Sequence, residues 1–368
     1  MILFSKELTM KRIIAIILSV LTVFSIMIPS TYAEEKTFDF SSSGIDFSKG
    51  IDVADLWMRD PFIVLYENVY FMYGTVGRFN GYGCYVSYDL ETWYGPTCVF
   101  NADTAENFDG VGDYWAAECH YYDGDFYLFA TYKSGETGYR GTSVFKSESP
   151  LGPFTEISDG HVTPHTRDCI DGTLYIEGGV PYMVYVEEFT SEADKIGGMA
   201  YVQLSDDLSH TVSESVTIFK ANEPIWVDKY NRVTDGPFLY KTSNGKLIML
   251  WSTNFEGYKT ATAFSLNGKL NGKWHQSSRP IYKNDKNNAQ DGGHGMIFTD
   301  KDGRMMMVIH SPNSGDTRIK LIELEDKGNY IARKDASFWD SVANRVDICF
   351  WTVADFFVNL FNKIFADC

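Results

Sequence analysis

The sequence predicts an all-β fold: a five-bladed β-propeller over residues 45–330, followed by an amphipathic helical tail over 336–368. Three observations predict it. Hairpins recur five times, their first strands opening at 60, 118, 171, 235 and 294, so one unit repeats every 53 to 64 residues. Further strand-like runs fill the intervals and bring each unit to about four strands, the content of a propeller blade. Aromatic residues make up 15% of the chain, which suits pleated, half-buried surfaces.

The first 33 residues stand apart from the repeat. Lys11 and Arg12 precede an uncharged apolar run from Ile13 to Met27, and Pro29 leads to the small residues around Thr31 and Ala33. This order predicts a secretory signal, with Met10 as an alternative translation start. The run is shorter than the ~20 residues of a membrane span, so an uncleaved anchor is the weaker reading. Residues 34–44 then read as a linker, and the exported chain would carry a net charge near −19 against −17 for the whole. Such an acidic balance excludes a phosphate backbone as partner, so no nucleic acid is expected. Six Cys (84, 98, 119, 169, 349 and 368) show no CxxC or CxxH spacing, which argues against zinc. Export permits disulfides. Cys119 and Cys169 lie in apolar runs and read first as buried thiols.

Each hairpin joins two apolar runs through turn residues. DPFIVLY and VYFMYGT meet at Glu67-Asn68, ECHYY and FYLFATY at Asp123-Gly124-Asp125, and DGTLYIE and VPYMVYVEE at Gly178-Gly179. DGPFLYK and KLIMLWST meet at Asn244-Gly245, and HGMIFTD and RMMMVIHS at Asp302-Gly303. In a propeller the innermost strands line the axis. The polar residues that open them (Asp60, Glu118, Asp171, Asp235 and His294) are therefore expected at one mouth of the channel. Ordinary turn chemistry explains any one of them; five together predict a site.

Carboxyl groups crowded at one mouth cannot all ionise, so their pKa values separate and one can act as acid while another acts as base. Glycoside hydrolysis uses such a pair. In its inverting form the two carboxyl groups stand ~6.5–9.5 Å apart, a gap that different blades can provide. The rival expectation is a sugar-binding propeller without turnover. Aromatic faces near these motifs, Trp57, Phe62, Trp115, Phe189 and Trp226, are candidates for a sugar platform, with core packing as the alternative for each. Trp93, Phe154 and Trp274 follow recurring outer-strand elements and read as structural.

The ordered motifs Arg59-Asp60-Pro61, Trp115-Ala116-Ala117-Glu118, Ile170-Asp171-Gly172, Thr234-Asp235-Gly236-Pro237 and Gly292-Gly293-His294-Gly295 resemble glycoside hydrolase family 43, blade by blade. The resemblance implies a five-bladed propeller and an inverting enzyme acting on arabinans, arabinoxylans and related plant polysaccharides, through arabinofuranosyl or xylosyl linkages. It implies that Asp60 is the general base and that Asp171 orients the acid and tunes its pKa. Glu118 would bind substrate or line the channel. His294 matches the axial histidine that in many members helps hold a calcium ion or water, so Ca2+ at the axis is expected, with a metal-free imidazole bonded to a carboxylate as the alternative. One departure matters: the family's general acid is a Glu before Gly-Pro, where this chain has Asp235. Its carboxyl falls ~1 Å short, a displacement that can cost ~100-fold in rate. Either a shifted backbone lets Asp235 act as the acid, or Glu188 in VEEF reaches in while Asp235 binds substrate.

In the tail, Trp339, Val342, Val346, Phe350, Val353, Phe357, Leu360 and Ile364 are spaced by threes and fours, one apolar helical face. Asp340, Asp347, Asp355 and Lys363 lie between them. The expected occupants of that face are the propeller, a partner helix or a membrane surface, the last opposed by the tail's acidic balance.

Overall fold

A computed structural model of the chain describes residues 38–285 and 288–365, with side chains as far as 361. The predicted signal segment lies outside the described residues. The molecule is a five-bladed β-propeller with a single C-terminal helix, Phe338–Phe365. Five antiparallel sheets follow one another in chain order. Their innermost strands are Arg59–Tyr66, Trp115–Tyr122, Cys169–Glu177, Asp235–Lys241 and Gly293–Thr299. Every sheet then runs outward through its second, third and fourth strands; Ile51–Asp52 adds a fifth to the outer edge of the first blade by pairing with Thr92 and Trp93.

The turn chemistry carries the hairpins. Glu67 and Asn68, Asp123 and Gly124, and Gly178 and Gly179 all take positive φ, the two-residue turn that matches the twist of the paired strands. Alternating apolar residues of neighbouring blades interlock into the core. Phe71, Tyr82, Leu128 and Phe145 seal blades one and two, while Met249, Trp251, Val184 and Met199 seal three and four, all essentially without solvent contact. Phe38 and Phe40, in the stretch read as a linker, pack on Phe71 with ring centres 5.1 and 6.4 Å away. Trp93 and Trp274 repeat one device, the indole N–H donating to the carbonyl of Leu90 or Leu270 in the preceding turn. Cys119 and Cys169 are buried free thiols, as are the described cysteines generally free.

The C-terminal helix docks through one side and leaves a broad apolar face exposed. Ser337 and Asp340 cap its start reciprocally. The side that meets the propeller is mixed, its carboxylates bonding to blade four while Ile348 and Trp351 pack on the core between blades four and five. Asp340 pairs with Arg279, Asp347 accepts from the Ser278 N–H, and Asp355 accepts from Lys273 and His275, all on or beside the outermost strand of blade four, Trp274–Gln276. Trp351 stacks on His275 at 4.2 Å. Phe350, Val353, Phe356 and Phe357 on the other side are roughly half exposed or more. Among the described residues no helix is long and apolar enough to cross a membrane.

Candidate active site

Every innermost strand begins with the same irregularity. Its register with the second strand slips between Arg59 and Phe62, Trp115 and Glu118, Ile170 and Thr173, Asp235 and Phe238, and Gly293 and Met296. The first residue of each bulge takes positive φ: Asp60 at 56°, Ala116 at 43°, Asp171 at 55°, Gly236 at 49° and His294 at 47°. A side-chain-bearing residue held there costs about 1–3 kcal/mol, and such strain gathers at functional sites. The five equivalent positions are therefore 60, 116, 171, 236 and 294. This corrects the sequence register: Asp235 sits one residue nearer the mouth, and Glu118 two residues deeper. Period-two alternation could not reveal the slip, because a bulge adds a residue without leaving a gap in the hydrophobic pattern.

Side chains at the ends of the second strands hold these bulges in place. The Asp60 N–H donates to His310 Nδ1, Ala116 N–H to Thr75 Oγ1, Asp171 N–H to Thr131 Oγ1 and His294 N–H to Ser252 Oγ, each partner lying on the preceding blade. The corresponding residue of blade three is Val186, which cannot accept. There the Gly236 N–H donates to Asp171 Oδ2 instead, at 3.1 Å, and this bond fixes the carboxylate. Sequence reasoning missed these acceptors, although the recurring hydroxyl or imidazole at the close of YGT, FAT, LWS and VIH was a usable signal.

Asp60, Asp171, Asp235 and His294 come together at the mouth. His294 Nδ1 lies 3.1 Å from Asp60 Oδ1 and 3.8 Å from Asp171 Oδ2. Thr75 donates to Asp60 Oδ2 at 2.7 Å, and Tyr258 donates to Asp235 Oδ2 at 2.8 Å. Burial pushes the Asp60 carboxyl up, but the imidazoles of His294 and His310 outweigh it and hold Asp60 well below the ordinary carboxylate range. Asp171 goes the other way, raised by burial and then by the charge of Asp60. Burial and the charge of Asp171 bring Asp235 up to about 7. Asp60 is thus kept ionised while Asp171 and Asp235 are both raised, so that Asp235 exchanges its proton near neutral pH, the separation an acid–base pair requires.

The remaining predicted residues take separate places. Glu118 lies under this layer, buried, with Oε2 3.4 Å from His120 Nε2; burial raises it to about 8. Phe62 does not face the mouth. It is buried against His120 and Phe238, so the core-packing alternative describes it. Trp226 likewise packs between blades three and four, its indole donating to the Ser277 carbonyl. Trp57 is on the rim, 36% exposed and bonded to the Gly315 carbonyl. Trp115 lies under the Arg140 guanidinium at 4.8 Å, and Arg140 pairs with Asp113. Glu188 follows the second strand of blade three. Its N–H donates to the Asp168 carbonyl, Thr190 donates to its carboxylate, and burial followed by the charge of Asp168 raises its pKa. Phe189 is partly exposed beside it.

The donors facing one another at His294 do not match calcium. That ion takes six to eight oxygens, whereas here an imidazole nitrogen occupies the space between two carboxylates. Among the described residues no group of three or more His, Cys, Asp or Glu side chains is arranged to hold a metal ion. A cleft of about 820 Å³ lies elsewhere, on the outer strands of blades one and two beside Asp109, Glu156 and His161. None of the mouth carboxylates lines it, so convergence of charge rather than cavity size locates the chemistry.

Comparison with known proteins identifies the family. The model of the family described as Glycosyl hydrolases family 43 matches residues 53–333. The solved endo-arabinase of Bacteroides thetaiotaomicron VPI-5482 is 34% identical, with TM-score 0.69 over 76% of this chain and 99% of its own. An endo-1,4-beta-xylanase of the same organism is 24% identical, with TM-score 0.65 over 78% of this chain and 97% of its own. The alpha-L-arabinofuranosidase of Lactobacillus brevis is 17% identical, with TM-score 0.59 over 76% and 94%; at these identities the last two share the fold. Among curated proteins no relative matches.

Proposed function

Because the chain belongs to glycosyl hydrolase family 43 and is a glycosidase, we propose that it cleaves glycosidic bonds of plant cell-wall polysaccharides with inversion, arabinofuranosyl linkages ahead of xylosyl ones. The observation that carries this reading is the division of charge at the mouth: Asp60 ionised beside His294, with Asp171 and Asp235 raised. The preference for arabinose rests on the endo-arabinase likeness.

In this mechanism Asp60 accepts a proton from water as that water attacks the anomeric carbon, and the Thr75 hydroxyl and His294 orient its two oxygens. Asp235 gives its proton to the leaving oxygen. Asp171, pinned by the Gly236 N–H, keeps the acid's pKa high. A second reading gives the acid role to Glu188, whose position at the rim, longer reach and raised pKa favour it. Trp57 and Trp115 would supply sugar-stacking faces. We also place the enzyme outside the cell, on the strength of residues 11–33, and N-terminal sequencing of exported protein beginning at Glu34 would support this.

Asp60→Asn tests the core of the proposal. The amide keeps the shape but cannot take the proton, so turnover should fall at least ~1,000-fold while polysaccharide binding persists. NMR of the fresh product should show the inverted anomer. Near-normal activity of the variant, or a retained anomer, would overturn the assignment.

A further inference from the structure

We propose that the apolar face of the C-terminal helix is a self-association surface that pairs with the same face of a second copy of this chain. All three carboxylates of the helix, Asp340, Asp347 and Asp355, are turned inward and bonded to the edge of blade four. What remains outward is a seam with a seven-residue repeat: Trp339, Val346, Val353 and Leu360 form one row, and Phe350 and Phe357 the row beside it. These six are between 41% and 66% exposed. A strict seven-residue repeat over about 30 Å of helix is the pattern that meshes with another helix.

Area supports the same occupant. With roughly 150–250 Å² per aromatic side chain and about 60% of each exposed, Trp339, Phe350, Phe356, Phe357 and Phe361 offer roughly 450–750 Å², which Val346, Val353 and Leu360 extend. A monomer's largest apolar patch is typically about 300–600 Å², and a stable complex buries about 800 Å² on each partner. Charge then selects among occupants. The seam carries no carboxylate, so two copies can meet there without like-charge contact at the centre. A lipid surface fits less well: helices that lie on membranes carry a basic polar face, whereas this polar face is acidic and already bound to the propeller, in a chain of net charge −17. The ion pairs to blade four hold the helix in one orientation, so the seam is preorganised and little order is lost on pairing. This inference does not depend on which sugar the enzyme cleaves.

The test is the mass of the purified full chain in solution, by sedimentation or light scattering near 10 μM, beside the double variant Phe350→Asp, Phe357→Asp. Wild type should be a dimer and the double variant a monomer with unchanged melting temperature and unchanged rate on a small aryl glycoside. Both substitutions point away from the propeller, so loss of folding is not expected, and the melting temperature checks it. A wild-type chain that stays monomeric to ~100 μM would overturn the proposal. So would a variant that stays dimeric, or a monomer that floats with phosphatidylcholine vesicles, which would assign the face to lipid.

Discussion

Replacing Glu118 by Gln measures what a buried acid beneath the site costs. The carboxyl lies under the Asp60 and Asp171 layer, with Oε2 lacking a hydrogen-bond partner. Its neighbour His120 is held down to about 3 by burial and is neutral, so it supplies no counter-charge. Burial raises Glu118 from an ordinary 4.5 to about 8. Between those two values the folded protein keeps a proton that the unfolded chain has released. Stability from this group is therefore complete below pH 4.5 and is lost as pH rises through about 8. At ~1.36 kcal/mol per pH unit the interval amounts to roughly 5 kcal/mol. Gln cannot ionise, so the stability of Glu118→Gln relative to wild type should climb with pH by up to that amount. Urea unfolding followed by Trp fluorescence at pH 5, 7 and 9 reads it directly, and taking the difference between the two proteins cancels every titration they share. A difference that stays flat within ~1 kcal/mol from pH 5 to pH 9 would refute the buried-acid argument.

Four further outcomes are expected. Asp235→Asn should slow polysaccharide cleavage severely and aryl glycosides mildly, since a good leaving group needs no proton; if Glu188→Gln shows the larger gap, Glu188 is the acid. With Asp235 as acid, kcat/KM of the wild type falls above about pH 7, where Asp235 loses its proton, and a limb that survives in Asp235→Asn passes the role to Glu188. Gly236→Ala should cost at least ~2 kcal/mol and most of the turnover, because a Cβ at φ 49° would lie 2.4 Å from the His294 ring; urea melts and wild-type-like kinetics would decide against this. EDTA should leave melting temperature and activity unchanged, and elemental analysis should find no stoichiometric calcium, since an imidazole stands where the ion would; a drop of several degrees would restore the metal.

Much of this protein was legible in one dimension. Hairpin turns need φ > 0 at two adjacent residues, and pairs such as Gly178-Gly179 advertise that need locally, so repeat number and blade order follow from the sequence alone. The identities of Asp60, Asp171 and His294 were legible for the same reason, as polar residues interrupting apolar runs at matching points. Tertiary structure decided what depends on contact between blades. The bulge that moved Asp235 and Glu118 out of register leaves no trace in hydrophobic periodicity. Val186, one apolar residue among many, gains meaning only because its inability to accept a hydrogen bond hands the Gly236 N–H to Asp171. The helix makes the same point. Periodicity shows that it has a polar and an apolar face, but which side meets the propeller was settled by Lys273, His275 and Arg279, donors that stand 61 to 82 residues away in sequence and only the fold brings opposite Asp355 and Asp340.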